Sequence, residues 1–308
     1  MIANRIVLYK IPTGGGGNML NRLFGNYLVE KKCITQEQLE HLLPVPQELI
    51  ADIETIAVVR KVLTPAQVQT VFDKIDRSTT RFGDAALEEG LISDDRLDHL
   101  ISFQTNAFMK FMQLLVNENY IRMDQLNQII SSFQTDNEYT DSQMNSLMLD
   151  DLEEIIKIFV PLKNKQLQEL TETLIQTIKR LIDKEVYLDK AYASNSIQLD
   201  SYAGQMVTGD MNFKLYLSGS GNNLLGIANY FTGDRYTNLN EDALDNIGEF
   251  INCVNGLFAT NLSYGDIVID MSSPDYSLDG LYLNENKLFV IPIHANGFCF
   301  RAIYEIYQ

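Results

Sequence analysis

Basic, metal-ligating and thiol side chains are all scarce in this chain. Lys and Arg total 24 against 41 Asp and Glu, a formal net charge of −17. With no basic patch to replace condensed counterions, nucleic acids and anionic membrane surfaces are disfavoured as partners. The three histidines, His41, His99 and His294, lie far apart, and the three cysteines, Cys33, Cys253 and Cys299, form no CxxC pair. A His/Cys metal site and a Ser-His-Asp triad are therefore not expected. An odd number of widely spaced cysteines, each in a locally apolar context, reads as reduced structural thiols. No apolar run approaches the roughly eighteen residues of a membrane span, and no basic segment with an apolar signal core opens the chain, so the expected location is the cytoplasm. Gly14–Gly17 has no Gly-Lys-Ser/Thr behind it, and Gly219-Ser-Gly221 lacks a third glycine at the right spacing, so no nucleotide cofactor is indicated. What is present is a 45% hydrophobic composition over 308 residues, enough to bury two cores. Proteins and small ligands remain as partners.

The first half carries a repeat. Ile34, Leu63, Ile92 and Ile121 are each 29 residues apart. Five residues beyond each anchor stand Leu39, Val68, Leu97 and Leu126, and the pairs Leu42/Leu43, Val71/Phe72, Leu100/Ile101 and Ile129/Ile130 follow. Thr35, Thr64 and Ser93 come directly after their anchors, with Gln38 and Gln67 three residues later, as in a capping box, and Pro65 suits a first helical residue. Each unit reads as a short helix, a tight turn and a longer capped helix, which must stack on its neighbours to bury its apolar face. A degenerate fifth copy is suggested by Ile155, Ile158 and Phe159, with Asp150 at the anchor position. Arg5 to Ile11 reads as a short strand, Gly14–Gly17 as a linker, Thr135 to Ser146 as a loop, and Asp150 to Val160 as a helix stopped by Pro161.

The second half has a different pattern. Leu167, Leu170, Leu174, Ile178, Leu181 and Ile182 mark one long amphipathic helix. Strands are predicted at 186–194, within 204–217, and at 267–271, 280–283, 288–293 and 298–306, the last two joined by the hairpin signal Asn296-Gly297. A short helix is expected at 223–231. The most informative helix begins at Glu241. At roughly 100° per residue its polar groups Asp245, Glu249, Asn252 and Gly256 fall on one narrow stripe, opposite Leu244, Ile247, Ile251, Val254 and Phe258. Two acids and an amide are thereby held in a row on a rigid element, beside a glycine that leaves room for another surface. A solvated face is the ordinary reading of such a stripe, and Asp245 also suits the helix dipole. Asn252 is harder to explain so, because asparagine is a poor mid-helix residue and no cap or turn calls for it there.

Asp245-x3-Glu249-x2-Asn252, followed by Gly256 and Pro274, resembles the signature of the CheX family of chemotaxis phosphatases, relatives of CheC and FliY. Gly209-Asp210, the run from Tyr230 to Tyr236 and the closing hairpin Leu288 to Ile306 extend the likeness over about residues 165–308. No second Glu-x-x-Asn occurs in 167–183, so the single-site CheX type is the better match. The resemblance implies an enzyme that hydrolyses the aspartyl phosphate of a CheY-type response-regulator receiver. It implies Asn252 as the residue that orients water, Glu249 as the partner of the receiver's lysine, and Asp245 and Gly256 at the docking face. Mg²⁺ would come with the receiver, and no cofactor is expected on this chain. The alternatives are a receiver-binding adaptor without hydrolysis, and a cyclic di-GMP effector. Pro274 reads more simply as a strand-end residue.

The repeats resemble the N-terminal domain of type II secretion and type IV pilus ATPases, whose tandem motif binds cyclic di-GMP. The best copy is Arg81, Gly83, Ile92, Leu97 and Gln104, with Ala86 where leucine is expected. The other copies depart further, so a tandem site is incomplete and cyclic di-GMP is disfavoured; Arg81, Gly83 and Gln104 would carry such binding, and helical packing or partner docking is the alternative. The fold expected is thus multidomain: a strand and linker over 1–19, all-α helical-hairpin repeats over 20–145, a linker helix over 146–163, and an α+β CheX-like domain over 164–308 with an antiparallel sheet covered by helices. Exposed sheet edges make a homodimer plausible.

Overall fold

The computed structural model describes residues 18–76, 79–284 and 286–307. The predicted strand at Arg5–Ile11 and the glycine linker lie outside them. The described chain forms two compact units, one of residues 28–132 and the other of 18–27 with 133 onward. The division differs from the one drawn on the sequence, for an aromatic reason. Phe24 and Tyr27 both meet Phe133 edge-on at 5.2 Å, and Tyr139 packs on Phe133 and Phe159, so these segments share one core.

The first described element is α1 (Met19–Glu30), and the first unit continues through α2 (Gln36–Leu42), α3 (Ile53–Val59), α4 (Pro65–Lys74), α5 (Phe82–Glu88), α6 (Asp94–Ser102), α7 (Ala107–Asn117) and α8 (Leu126–Asp136). One turn precedes each of the four repeat anchors. Lys32, Lys61, Gly90 and Asn119 all have φ between 57° and 67°, and each stands two residues before an anchor. The next amide, that of Cys33, Val62, Leu91 or Tyr120, donates to the carbonyl five residues back, which closes a Schellman-type end on the first helix of each pair. The anchors Ile34, Leu63, Ile92 and Ile121 are then buried. Thr35 and Thr64 cap with Gln38 and Gln67 as expected, whereas Ser93 makes no capping bond. Short-then-long describes α3/α4 and α5/α6 only, since α1 is longer than α2.

In the second unit, α9 (Asp141–Leu149) corrects the loop expected over 135–146. Its N-cap Thr140 forms a capping box with Gln143, a signal hidden in a polar segment. Asp150, the supposed fifth anchor, is instead the left-handed C-cap of α9, and its carboxylate pairs with Lys179. Then come α10 (Leu152–Phe159) and α11 (Lys165–Leu181), β1 (Tyr187–Leu188), β2 (Tyr192–Ser194), β3 (Ile197–Leu199), β4 (Ser201–Gly209), β5 (Phe213–Gly219), α12 (Leu225–Thr232), α13 (Glu241–Ser263), β6 (Ile269–Met271), β7 (Asp275–Ser277), β8 (Leu281–Leu283), β9 (Lys287–Ala295) and β10 (Phe298–Ile306). The sheet is antiparallel, ordered β1-β9-β10-β5-β4-β6, with β2 also on β9 and β7 also on β4. Asn296 and Gly297, both at positive φ, close the β9–β10 hairpin. Helices α11 and α12 each pack against α13, which lies on β4 and β5. The β3–β8 ribbon contributes Leu199 and Leu283 to a second buried cluster with Tyr216, Leu288, Val290 and Ile303. The sheet is therefore buried on both faces, where helices alone were expected to cover it. No helix among the described residues is long and apolar enough to cross a membrane.

Candidate functional site

Helix α13 begins where the sequence places it. Asn240 caps it, its Oδ1 accepting the Ala243 amide at 2.9 Å, and Glu241 and Asp242 sit favourably in the first turn. Leu244, Ile247, Ile251, Val254 and Phe258 are all fully buried, so the apolar stripe is the packed side. Asp245 and Glu249 are exposed, and Gly256 borders open space: a Cβ built there would meet nothing within 4 Å. Asn252, expected on the same solvated stripe, is half-buried instead.

The cause is Gln205, which the sequence reading missed. Its side chain is fully buried on the helix-facing side of β4, in line with Ala203 and Val207. Gln205 Nε2 donates to Asn252 Oδ1 at 2.8 Å and to the Ser272 carbonyl at 2.8 Å, and Gln205 Oε1 accepts from Asn255 Nδ2 at 2.8 Å. The Asn252 amide is thus tethered on its oxygen side, and among the described residues its Nδ2 has no protein acceptor. A glutamine at an inward position of an alternating strand is the signal that could have found this network.

Pro274 comes directly before β7, as a strand-end residue should, yet it also touches the helix. A Cβ on Gly248 would lie 2.9 Å from Pro274 Cβ, so glycine at 248 is what lets the 272–274 segment come this close. That segment is held to β4 by the Ser272 amide on the Met206 carbonyl at 2.9 Å and by the Met206 amide on Ser272 Oγ at 3.3 Å. Gly209-Asp210 is a joint in the fold: the Asp210 carboxylate accepts the Val268 amide at 2.8 Å. Asn229 holds Tyr236 through both ends of its side-chain amide, which fixes the loop before α13.

All three cysteines are free thiols. Cys33 and Cys299 are exposed and Cys253 is half-buried. Burial pushes the Cys253 thiol up, with Arg180 opposing, which favours the protonated form beside Asn252. No cluster of three or more His, Cys, Asp or Glu suited to a metal ion occurs among the described residues.

In the first unit, Arg81, Gly83 and Gln104 do line one cleft, of about 470 Å³, together with Asp52, Phe72 and Thr80. Two of the three have packing duties there. A Cβ on Gly83 would lie 2.8 Å from Leu97 Cδ1, so this glycine lets α5 approach α6. Gln104 pairs with Ala51 by side chain and backbone, the Gln104 Nε2 donating to the Ala51 carbonyl at 3.0 Å and the Ala51 amide to the Gln104 carbonyl at 3.0 Å. Arg81 is exposed at the N-cap of α5.

No protein-family model matches the chain, and no curated protein matches it. Among solved structures, it is similar to a chemotaxis protein CheX from Desulfovibrio desulfuricans, at 16% identity and a TM-score of 0.40, over 47% of this chain and 100% of that one. It is also similar to the chemotaxis protein CheX from Vibrio vulnificus, at 18% identity and a TM-score of 0.41, over 47% and 100%. The CheX of a CheX-CheY-BeF3-Mg complex from Borrelia burgdorferi is similar at 10% identity and a TM-score of 0.35, over 47% and 99%.

Proposed function

We propose that the second unit is a phosphatase for the aspartyl phosphate of a CheY-type receiver domain, with Glu249 and Asn252 as its working residues. The observation that carries this reading is their placement. An exposed acid and a half-exposed, tethered amide stand about one helical turn apart on α13, beside an open glycine face.

The chemistry asks little of this chain. A receiver brings the phosphoryl group, Mg²⁺ and a lysine, so the missing component is a water held in line with the P–O bond to be broken. Water attacks phosphorus, the receiver's aspartate leaves as a carboxylate, and inorganic phosphate departs; no group on this chain becomes phosphorylated. Asn252 suits the task because a carboxamide is neutral and carries donors and an acceptor on one rigid plane. Its free Nδ2 donates to the oxygen of the attacking water. Glu249 pairs with the receiver's lysine and fixes the docking register. Asp245 and Gly256 extend the docking face along the helix.

The test is phosphate release from a phosphorylated receiver. Asn252→Ala should lower kcat by roughly 10²- to 10³-fold with KM little changed, as for loss of one preorganised donor. Glu249→Ala should act mainly on KM. Decay of the phosphorylated receiver at the same rate with and without wild-type protein would leave a receiver-binding adaptor and remove the enzyme.

A further inference from the structure

The amides Asn255, Gln205 and Asn252 form the polar row under α13 that packing alone does not call for. Gln205 occupies a fully buried position between the apolar Ala203 and Val207. A leucine would fill such a position without the cost of burying an amide. The row has a fixed polarity, and the Ser272 backbone dictates it. A carbonyl only accepts, so the Gln205 atom 2.8 Å from the Ser272 oxygen must be Nε2. That nitrogen's other hydrogen points along the 2.8 Å contact to Asn252, which must answer with Oδ1. Gln205 Oε1 is then left for Asn255 Nδ2, also at 2.8 Å. Asn255 cannot reverse, because its own Oδ1, buried and unpartnered, would face the Gln205 oxygen. The Ser272 carbonyl is itself held in place, since its residue hydrogen-bonds to Met206 on β4 through backbone and hydroxyl.

We propose that Gln205 is a positioning residue for the water-handling amide: it locks Asn252 with its oxygen inward and its NH2 outward, and so decides which end of the carboxamide meets the incoming substrate. This rests on the phosphatase reading of α13. An outward NH2 donates to one lone pair of the attacking water and leaves the other for phosphorus. A reversed amide would present oxygen and take a water hydrogen instead, with nothing to hold the water's second lone pair. Unlocked, Asn252 would exchange between the two faces and among its side-chain rotamers.

The experiment uses the full chain and a CheY-type receiver domain phosphorylated with acetyl phosphate and freed of excess reagent. Phosphate release is measured for wild type, Gln205→Met and Gln205→Glu across pH. The expected result for Gln205→Met is a kcat lower by about tenfold or more with KM little changed, since orientation rather than docking is lost. Gln205→Glu should be weaker than wild type at every pH, because a carboxyl brings at most one hydrogen to the two acceptors, Asn252 Oδ1 and the Ser272 carbonyl. Relative to wild type at each pH, its deficit should deepen as pH rises and the buried carboxyl ionises, since a carboxylate draws the Asn252 NH2 inward. If Gln205→Met does not fold, as judged by its thermal unfolding curve, the pH profile of Gln205→Glu decides alone. Wild-type kcat in Gln205→Met, or a Gln205→Glu profile parallel to wild type, overturns the positioning role and leaves the phosphatase reading standing. A wild-type protein that does not speed release overturns both.

Discussion

At the scale of single residues, the candidate site depends on small differences of environment along one helix. Glu249 is exposed, whereas Asn252, three residues on, leans into a buried amide row. The neighbouring Gly248 is a packing residue of the same site, because its missing Cβ admits Pro274. Gly248→Val should therefore cost about 1–3 kcal/mol of stability, as overpacked positions do, with little recovered from helix propensity. A lower unfolding midpoint for the sheet-containing unit checks this; an unchanged midpoint would mean that the 272–274 segment moves aside freely. The residues around α13 divide by how far their reasons extend. The apolar set Leu244, Ile247, Ile251, Val254 and Phe258 was legible because helical period alone assigns it. Gln205 was not, because its partner on α13 is 47 residues away in sequence.

At the scale of elements, the four Schellman-type turns put a backbone reason behind the 29-residue spacing. An L-residue in the left-handed region is strained, and only Gly90 among the four avoids that strain. Lys61→Gly should stabilise the helical unit by about 1 kcal/mol, and Gly90→Ala should destabilise it by a similar amount. Denaturant midpoints followed by far-ultraviolet circular dichroism read both, with the slope unchanged in each. A Lys61→Gly variant of lower midpoint would contradict the strain argument. The spacing was visible in the sequence because the anchors are apolar, but the turns were less so, since lysine and asparagine at Lys32, Lys61 and Asn119 carry no glycine signal. Helix α9 was hidden for a related reason: its polar sequence obscured the box formed by Thr140 and Gln143.

At the scale of the whole molecule, a net charge of −17 sets the terms on which any acidic partner approaches. If the partner is an acidic receiver, long-range repulsion slows encounter, and contact must rest on local complementarity around Glu249 and Asn252. Salt should then help. Raising ionic strength from about 0.01 M to about 0.15 M shortens the Debye length from roughly 30 Å to roughly 8 Å, so KM should fall while kcat stays level. Stopped-flow association at several salt concentrations measures this directly. A rate that falls with added salt would point to attractive steering instead, and so to a basic partner surface.

Local chemistry was within the reach of the sequence by itself: where most helices lie, which face of α13 is apolar, the capping of α2 and α4, and the β9–β10 hairpin. Each follows from residues a few positions apart, whose backbone periodicity does not depend on the rest of the chain. Tertiary structure alone decided that β3–β8 covers the second face of the sheet, that Phe24 and Tyr27 share a core with Phe133, and that Gln205 faces Asn252. Those contacts join residues dozens to more than a hundred positions apart, and a hydrogen bond's direction, set here by the Ser272 carbonyl, exists only once both partners are in place.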